Sequence, residues 1–170
     1  MHGIVYKALH QEPSFFFEYT DASYGNADNC RSISRYVFLA RDGAITWCLR
    51  KQTTIVLSLT EAEYMALSEA AREACWLRSL YSKLGLLQEE VPTLIWGDNK
   101  GSIAMVKNPQ FHKRSKHIVI HWHWVHNLVQ EGKIYVDSCR DPEQTADVLM
   151  KALPRPKHQK HASNMGLVSV

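Results

Sequence analysis

The 170-residue sequence lacks the long apolar runs that are typical of membrane proteins. Its strongly apolar stretches are a handful of residues long, such as Ile55 to Leu59 and Ile118 to Ile120, whereas a spanning helix needs about 20. The first residues, MHGIVYKALHQEP, also lack the continuous apolar segment of a secretory signal. We therefore expect a cytoplasmic protein with no membrane partner.

Cysteine is scarce, with four residues at positions 30, 48, 75 and 139 and no C-x-x-C pair. This spacing indicates neither a zinc knuckle nor a disulfide framework. We expect buried thiols in a reducing compartment. The length and a hydrophobic content of 45% fit one globular domain.

Acidic residues are absent from one long stretch. Between Lys107 and His126 there are four Lys or Arg and five His but no Asp or Glu, although the whole chain has a net charge of only +3. Such a local concentration of positive charge is typical of a surface that holds a nucleic-acid backbone. A solvated basic face without a partner is the alternative.

The residue pattern predicts a sheet with helices packed on it. Phe15, Phe17 and Tyr19 alternate on one face of a first strand, and Asp21 falls on that face. A polar loop over 23–34 follows. The runs RYVFLA and AITWCL, separated by Arg41-Asp42-Gly43, then predict a hairpin. The first three strands should therefore be antiparallel.

A long helix follows these strands. Both Ser58-x-x-Glu61 and Thr60-x-x-Glu63 match the capping-box pattern. Glu63 falls on the apolar stripe of the helix, where an unpaired carboxylate is costly. Its partner is either the capping box or another polar group of the fold. Gly85 should end the helix.

Two further acids, Asp98 and Asp147, are predicted to lie near the sheet. Asp98 directly follows the apolar strand TLIWG, where an N-cap for the next short helix is its alternative role. A helix over about 115–130 and the strand KIYVDSC come next. Asp141-Pro142 should open a last helix that contains Asp147. The order of elements predicts an α/β layer on a mixed sheet.

Four acids thus occupy unfavourable positions, namely Asp21, Glu63, Asp98 and Asp147. If they converge, divalent cations such as Mg²⁺ or Mn²⁺ would neutralise them. Phosphodiester hydrolysis by two metal ions about 3.5–4 Å apart needs such a cluster. Trp122 and Trp124 in the basic stretch could pack in the core or against sugars, and core packing is favoured.

At these residues the chain resembles the ribonuclease H domain of copia-type long-terminal-repeat retrotransposons. The similarity covers nearly the whole chain, and its matching stretches are YTDASYG, RSISRYVFLARDGAITW, KQTTIVLSLTEAEYMALSEAAREACWLRSL, IWGDNKGSIAMVKNP, FHKRSKHIVIHWHWV and EQTADVLMKALPRPK. The catalytic, metal-binding carboxylates of the family fall on the same four acids, Asp21, Glu63, Asp98 and Asp147.

The resemblance implies a ribonuclease H-like fold with a five-stranded mixed sheet, three antiparallel strands being followed by parallel ones. It also implies cleavage of the RNA strand of an RNA–DNA hybrid with two Mg²⁺ ions, for which Mn²⁺ substitutes, beside a reverse transcriptase domain of the same polyprotein. An active element would place the protein in a virus-like particle. Lys113, Arg114, Lys116 and Asn99 are the expected nucleic-acid contacts. We expect the domain to span 1–153, followed by a basic, loosely ordered tail over 154–170.

Three departures from the family pattern matter. Arg35 stands where S-T-S-G-Y has a small residue, KHIVIHWHW replaces K-H-I-D-I-R-Y-H-F, and Met150 and Ala152 alter L-T-K-P-L. The loop over 137–141 has Arg140 and no His, so no residue is assigned as proton shuttle.

Two other functions compete with the enzyme. A degenerate domain that binds nucleic acid without turnover would use the same basic residues. His117 and His121, spaced four apart, could instead bind zinc, but the H-E-x-x-H pattern is absent.

Overall fold

The computed structural model describes residues 2–7, 16–87, 89–108 and 116–169. Within these ranges the strands are β1 (His2–Ile4), β2 (Phe16–Ala27), β3 (Arg31–Ala40), β4 (Gly43–Lys51), β5 (Thr93–Gly97), β6 (Ile134–Ser138) and β7 (Leu167–Ser169). The α-helices are α1 (Leu59–Lys83), α2 (Lys100–Lys107), α3 (Lys116–Gln130) and α4 (Arg155–Asn164). None of the described helices is both long and apolar enough to cross a membrane.

Five strands form the central sheet, in the order β4-β3-β2-β5-β6. β2, β3 and β4 pair antiparallel, whereas β5 runs parallel to both β2 and β6. The predicted ribonuclease H-like arrangement is therefore confirmed. Because β2 and β5 pair in parallel from Phe17 with Leu94 to Tyr19 with Trp96, the carboxyl end of β5 lies beside the middle of β2.

The predicted hairpin between β3 and β4 is also present. Arg41 and Asp42 form its two-residue turn, and both have positive φ, 53° and 61°. A type I′ turn requires positive φ at both central positions, because only that backbone twist matches the twist of the flanking strands. The turn fixes the register of β3 and so places the residues of that strand that face β2.

The helix α1 packs on the sheet through a row of small side chains. Ala62, Ala66, Ala70 and Ala74, spaced four apart, are all fully buried. Side chains at this spacing lie on one face of a helix, and their small size lets the helix lie close to the strands. Since α1 begins at Leu59, its first turns lie near the middle of β2 and the carboxyl end of β5, where Glu63 comes close to Asp21 and Asp98.

The sheet is covered on both faces, which the pattern of the first strand did not show. Phe17 and Tyr19, expected to face inward, are partly buried in a second apolar cluster. The opposite face of β2 is buried more completely, through Phe16, Glu18 and Thr20. Phe15 lies outside the described residues. A strand between two layers is buried on both faces, so alternation cannot identify its core side.

The loop expected over 23–34 is shorter than the sequence indicates. β2 continues to Ala27 and β3 begins at Arg31, and the pairing is irregular between Ser23 and Ala27. The turn between them contains Asn29 and Cys30 with positive φ. Cys30 is therefore exposed, contrary to the expected burial, while Cys48, Cys75 and Cys139 are free thiols of intermediate exposure.

The α-helix expected from Asp141 is wrong. The chain forms two short 3-10 turns, Asp141–Glu143 and Thr145–Leu149. Gln144 between them is fully buried, and its Nε2 donates a hydrogen bond of 2.9 Å to the carbonyl oxygen of Thr20 in β2. This bond fixes Gln144 in an extended conformation and so interrupts the helix.

Residues 154–169 are not loosely ordered as expected, since α4 and β7 lie within them, while the domain boundary at 153 stays a prediction. α4 is followed by β7, which pairs antiparallel with β1. Met165 joins the second apolar cluster with Val37 and Leu39. The segment is rich in charge and docks through only a few side chains, so its apolar periodicity is too weak to predict a helix.

The environment of His161 in α4 predicts that the docking of this segment weakens at low pH. Its side chain is fully buried, with Nδ1 3.4 Å from the hydroxyl of Thr145. Burial, together with the positive charges of Lys157, Lys160 and His158, lowers the pKa of His161 below its usual value of 6.5. As the pH falls below about 6.5, His161 is therefore protonated more readily in the unfolded chain than in the folded one, and the folded state loses stability.

We predict that His161→Gln reduces the loss of stability between pH 7.5 and pH 5, because glutamine does not titrate. The measurement is the free energy of unfolding in urea at both pH values. The matched control, His123→Gln, changes an exposed histidine and should keep the pH dependence of the parent. Equal pH dependence of parent and His161→Gln would contradict this prediction.

Candidate metal centre

Three of the four predicted acids meet where β5 ends beside the middle of β2. One carboxylate oxygen each from Asp21, Glu63 and Asp98 lie within 4.8 Å of one another. Asp21 and Glu63 are buried, with 2% and 5% of their surface exposed, and Asp98 is partly exposed. The cluster therefore has a buried floor and one side open to solvent.

The strand register brings Asp21 and Asp98 together. Tyr19 of β2 pairs with Trp96 of the parallel strand β5. Asp21 follows Tyr19 by two residues, and Asp98 follows Trp96 by two residues. Two parallel neighbours that advance equally stay side by side, with their side chains on the same face. The sequence spacing within each strand thus determines that these carboxylates meet.

Asp98 is not the N-cap of the following helix. That role belongs to Asn99, whose side-chain oxygen accepts a hydrogen bond of 2.9 Å from the backbone N–H of Ser102. The structural alternative for Asp98 is therefore wrong. Asn99 has a capping role that sequence analysis did not assign, and its expected contact with nucleic acid stays a prediction.

Glu63 lies in the second turn of α1 and is not needed to cap the helix. Ser58 is the N-cap, and its hydroxyl accepts from the backbone N–H of Glu61 at 3.2 Å. The Glu61 carboxylate accepts from the backbone N–H of Leu57 at 2.7 Å. Ser58, the first residue of the first predicted capping box, thus starts the helix, and Glu63 lies close to Asp21 and Asp98.

The three acids repel one another in their ionised forms. Burial, followed by the negative charge of Asp21, raises the pKa of Glu63 well above its usual value. Burial and then Asp21 raise the pKa of Asp98 to about 6. Burial opposes ionisation of Asp21 too, but a hydrogen bond involving Asp147 and the charge of Arg35 lower its pKa. A divalent cation would favour all three ionised forms.

The fourth predicted acid, Asp147, lies beside the cluster and pairs with cations. Its Oδ1 is 3.3 Å from the Arg35 guanidinium and 2.6 Å from Nζ of Lys151, and its Oδ2 is 3.5 Å from Nζ of Lys157. Arg35 and Lys151 also pair with Asp21. Burial and then a hydrogen bond involving Asp21 raise the pKa of Asp147. Its predicted role as a metal ligand stays a prediction.

The expected nucleic-acid contacts in the basic stretch are only partly within the described residues. Lys113 and Arg114 lie outside them, and Lys116 begins α3 without a described side chain. Trp122 is buried, and its indole N–H donates to the carbonyl oxygen of Met105 at 2.9 Å. The preferred core role of this tryptophan is confirmed.

The histidine pair considered for zinc has another contact. Nδ1 of His121 lies 2.9 Å from the hydroxyl of Ser68, and the side chain of His117 lies outside the described residues. A ring nitrogen that bonds a hydroxyl is a common environment of a structural histidine. The described geometry therefore gives no support to a zinc site here.

The donor set of the cluster suits a hard divalent cation. Carboxylate oxygens are the ligands that Mg²⁺ and Mn²⁺ prefer. Oxygens that share one Mg²⁺ lie at most about 4.2 Å apart, so the oxygens of Asp21, Glu63 and Asp98, which lie within 4.8 Å of one another, would move closer together to bind one ion. These residues fit a metal site.

Comparison with known proteins shows where this arrangement occurs. No family model matches the chain. The chain is 36% identical over 152 residues to the retrovirus-related Pol polyprotein from transposon TNT 1-94 of Nicotiana tabacum, a match that covers 89% of this chain and 11% of the relative. It is 37% identical over 153 residues to that from transposon RE1 of Arabidopsis thaliana, covering 89% and 10%. The chain thus spans about a tenth of the length of these curated relatives.

Solved structures that share the fold include ribonucleases H. The N-terminal RNase H domain of rv2228c from Mycobacterium tuberculosis aligns with a TM-score of 0.55 at 12% identity, covering 86% of this chain and 95% of that one. LC11-RNase H1 in complex with an RNA/DNA hybrid aligns with a TM-score of 0.54 at 13% identity, covering 76% and 88%. At these identities the likeness shows the fold alone.

Proposed function

We propose that this chain, a ribonuclease H domain homologous to a segment of the retrovirus-related Pol polyproteins of plant transposons, is a divalent-metal-dependent nuclease that hydrolyses the RNA strand of RNA–DNA hybrids. Mg²⁺ is the proposed ion, and Mn²⁺ substitutes for it. A reverse transcriptase domain of the same polyprotein is the proposed protein partner, and the cytoplasm is the proposed location.

The observation that carries this proposal is the convergence of Asp21, Glu63 and Asp98 within 4.8 Å. A bound divalent ion would lower the pKa of a water molecule and offset negative charge on the phosphate. The three carboxylates would hold that ion, and their positions on β2, α1 and the end of β5 keep them in place without substrate. Such preorganisation is a large part of the catalytic effect of an active site.

We propose an RNA–DNA hybrid as the substrate on two grounds. The first is the fold that the chain shares with a hybrid-bound ribonuclease H, and the second is the way in which the two strands of a hybrid are recognised. The hybrid-bound LC11-RNase H1 has the same fold. A hybrid is recognised through 2′-hydroxyl groups of the RNA and the backbone shape of the DNA, and not through base edges. We therefore expect little sequence specificity.

The number of ions is a finer part of the proposal. Asp147, the fourth acid of the family pattern, and Asp21 pair in the structure with Arg35 and Lys151. The three-carboxylate cluster alone suits one ion. The two-ion site expected from the family pattern therefore needs the cations at Asp147 to move.

The pairing of Arg35 also favours a second candidate function, a domain that binds nucleic acid without cleaving it. Arg35 is 1% exposed and contacts both Asp21 and Asp147. A cation within the acid cluster competes with metal ions for the same oxygens. Salt-sensitive hybrid binding without cleavage in either Mg²⁺ or Mn²⁺ would favour this function.

The test of the proposed function is a comparison of substrates. We expect the purified chain with Mg²⁺ to cut the RNA strand of a labelled hybrid and to leave a DNA duplex and a double-stranded RNA of the same sequence intact. Chelation with EDTA should abolish cutting, and added Mn²⁺ should restore it. Hybrid cleavage that persists in EDTA, or equal cleavage of all three duplexes, would contradict the proposal.

A further inference from the structure

We infer that the guanidinium of Arg35 occupies the place of a second divalent ion, so that this site takes one ion per chain. Asp21 and Asp147 are neutralised by Arg35 and Lys151, whereas Glu63 and Asp98 bind the single ion with the help of Asp21. The inference rests on the proposed function, since it concerns the metal content of the same site.

The strand register forces Arg35 into the acid cluster. Arg35 of β3 is the antiparallel pairing partner of Asp21 in β2. Directly opposed residues of neighbouring strands have side chains on the same face, with Cβ atoms about 4.5–5.5 Å apart. The long arginine side chain therefore extends along the face that carries Asp21.

Both terminal nitrogens of the Arg35 guanidinium make contacts. Nη2 pairs with Oδ2 of Asp21 and lies 3.3 Å from Oδ1 of Asp147, while Nη1 lies 3.2 Å from the sulfur of Met150. A guanidinium that links two carboxylates takes the place that a bridging cation would take between them. Its charge and that of Lys151 balance the two acids without metal.

Arg35 and Lys151 differ in how readily an incoming ion can displace them from the carboxylates. Lys151 is 42% exposed at its side chain, so its ammonium can turn to solvent when an ion or a phosphate approaches. Arg35 is 1% exposed. Displacing its charge would leave a guanidinium buried without a partner, which is strongly unfavourable. An incoming ion can therefore displace the lysine but not the arginine.

Two departures from the family pattern contact each other at this point. Arg35 stands where the pattern S-T-S-G-Y has glycine, and Met150 stands where L-T-K-P-L has threonine. The 3.2 Å contact joins these two residues across the site. The methionine thus packs against the guanidinium, and the two substitutions are in direct contact.

The test counts bound ions. Isothermal titration of the metal-free chain with Mn²⁺, checked by the electron paramagnetic resonance signal of free Mn²⁺, should give one ion per parent chain. Arg35→Gly should give two ions, and Arg35→Lys, which keeps the positive charge, should give one. Two ions on the parent, or one ion on a folded Arg35→Gly variant, would overturn the inference.

Folding of the variants is monitored by circular dichroism. If Arg35→Gly does not fold, Arg35→Ser tests the same loss of charge with a small side chain, and the parent count still decides the inference. Failure of the proposed function is distinguishable, because hybrid cleavage is measured separately. One ion on the parent without any hybrid cleavage would refute the nuclease and support the role of Arg35, whereas cleavage by a parent with two ions would do the reverse.

Discussion

Asp98→Asn is expected to lower metal-dependent cleavage of an RNA–DNA hybrid by about a thousandfold or more. The side chain is one of three whose oxygens lie within 4.8 Å of one another, and an amide supplies no negative charge to the ion. Asn99, and not Asp98, caps the helix α2. The substitution should therefore remove metal affinity without removing a structural hydrogen bond at the helix terminus.

The same variant should be at least as stable as the parent without metal. Burial and then Asp21 raise the pKa of Asp98 to about 6 in the folded chain, above its usual value near 3.9. A raised carboxyl pKa favours folding at low pH, and this benefit is lost as the pH rises to about 6. At pH 8 asparagine therefore removes a repulsive charge.

The measurement combines initial cleavage rates in Mg²⁺ with urea unfolding in EDTA at pH 8. The matched control is Asp42→Asn, which makes the same change at an exposed acid in the β3–β4 turn. Asparagine, like aspartate, tolerates the positive φ of this position. The control should cleave as fast as the parent. Asp98→Asn with parental activity would show that Asp98 is not part of the active site.

Asp147→Asn is expected to lower the free energy of unfolding by about 3 kcal/mol. Its side chain is fully buried and lies within 3.5 Å of charged atoms of Arg35, Lys151 and Lys157. Burial raises the pKa of Asp147, so the cost of ionising it offsets part of this effect at pH 8. The larger effect is on the buried Arg35 guanidinium, because removing one partner of a buried ion pair leaves the remaining charge poorly compensated. Asparagine has nearly the same shape, so the loss would report the charge and not the packing.

Urea unfolding in EDTA at pH 8 measures this effect. The control is Glu131→Gln, since Glu131 forms an exposed pair with Lys133 at 2.7 Å, and exposed pairs contribute about 0–1 kcal/mol. A change for Asp147→Asn as small as that of the control would mean that the cations at Asp147 do not stabilise the fold.

The sequence predicts the antiparallel strands and α1 well, because turns and helix starts are specified by a few residues that are neighbours in the chain. The Arg41-Asp42-Gly43 turn specifies a hairpin through its φ angles. Ser58 and Glu61 start α1 where the capping pattern places it. The parallel pairing of β2 and β5 then brings Asp21 and Asp98 together. Three of the four candidate acids thus follow from strand ends and helix periodicity.

The surroundings of the acids could not be predicted in the same way. The contact between Arg35 and Asp147 joins residues 112 positions apart in the chain, and no local pattern encodes it. Glu18 is fully buried between the sheet and α1, although its place beside three aromatic residues gave no sign of this. Burial, followed by the charge of Glu73, raises its pKa. Such polar groups become visible only once the layers are packed.

The position of a bound ion tests the proposed metal site most directly. Crystals of the metal-free chain soaked in Mn²⁺ should show one anomalous difference peak per chain, about 2.1 Å from oxygens of Asp21, Glu63 and Asp98, with the Arg35 guanidinium still between Asp21 and Asp147. No peak at millimolar Mn²⁺, or a peak that contacts none of these three carboxylates, would contradict the account.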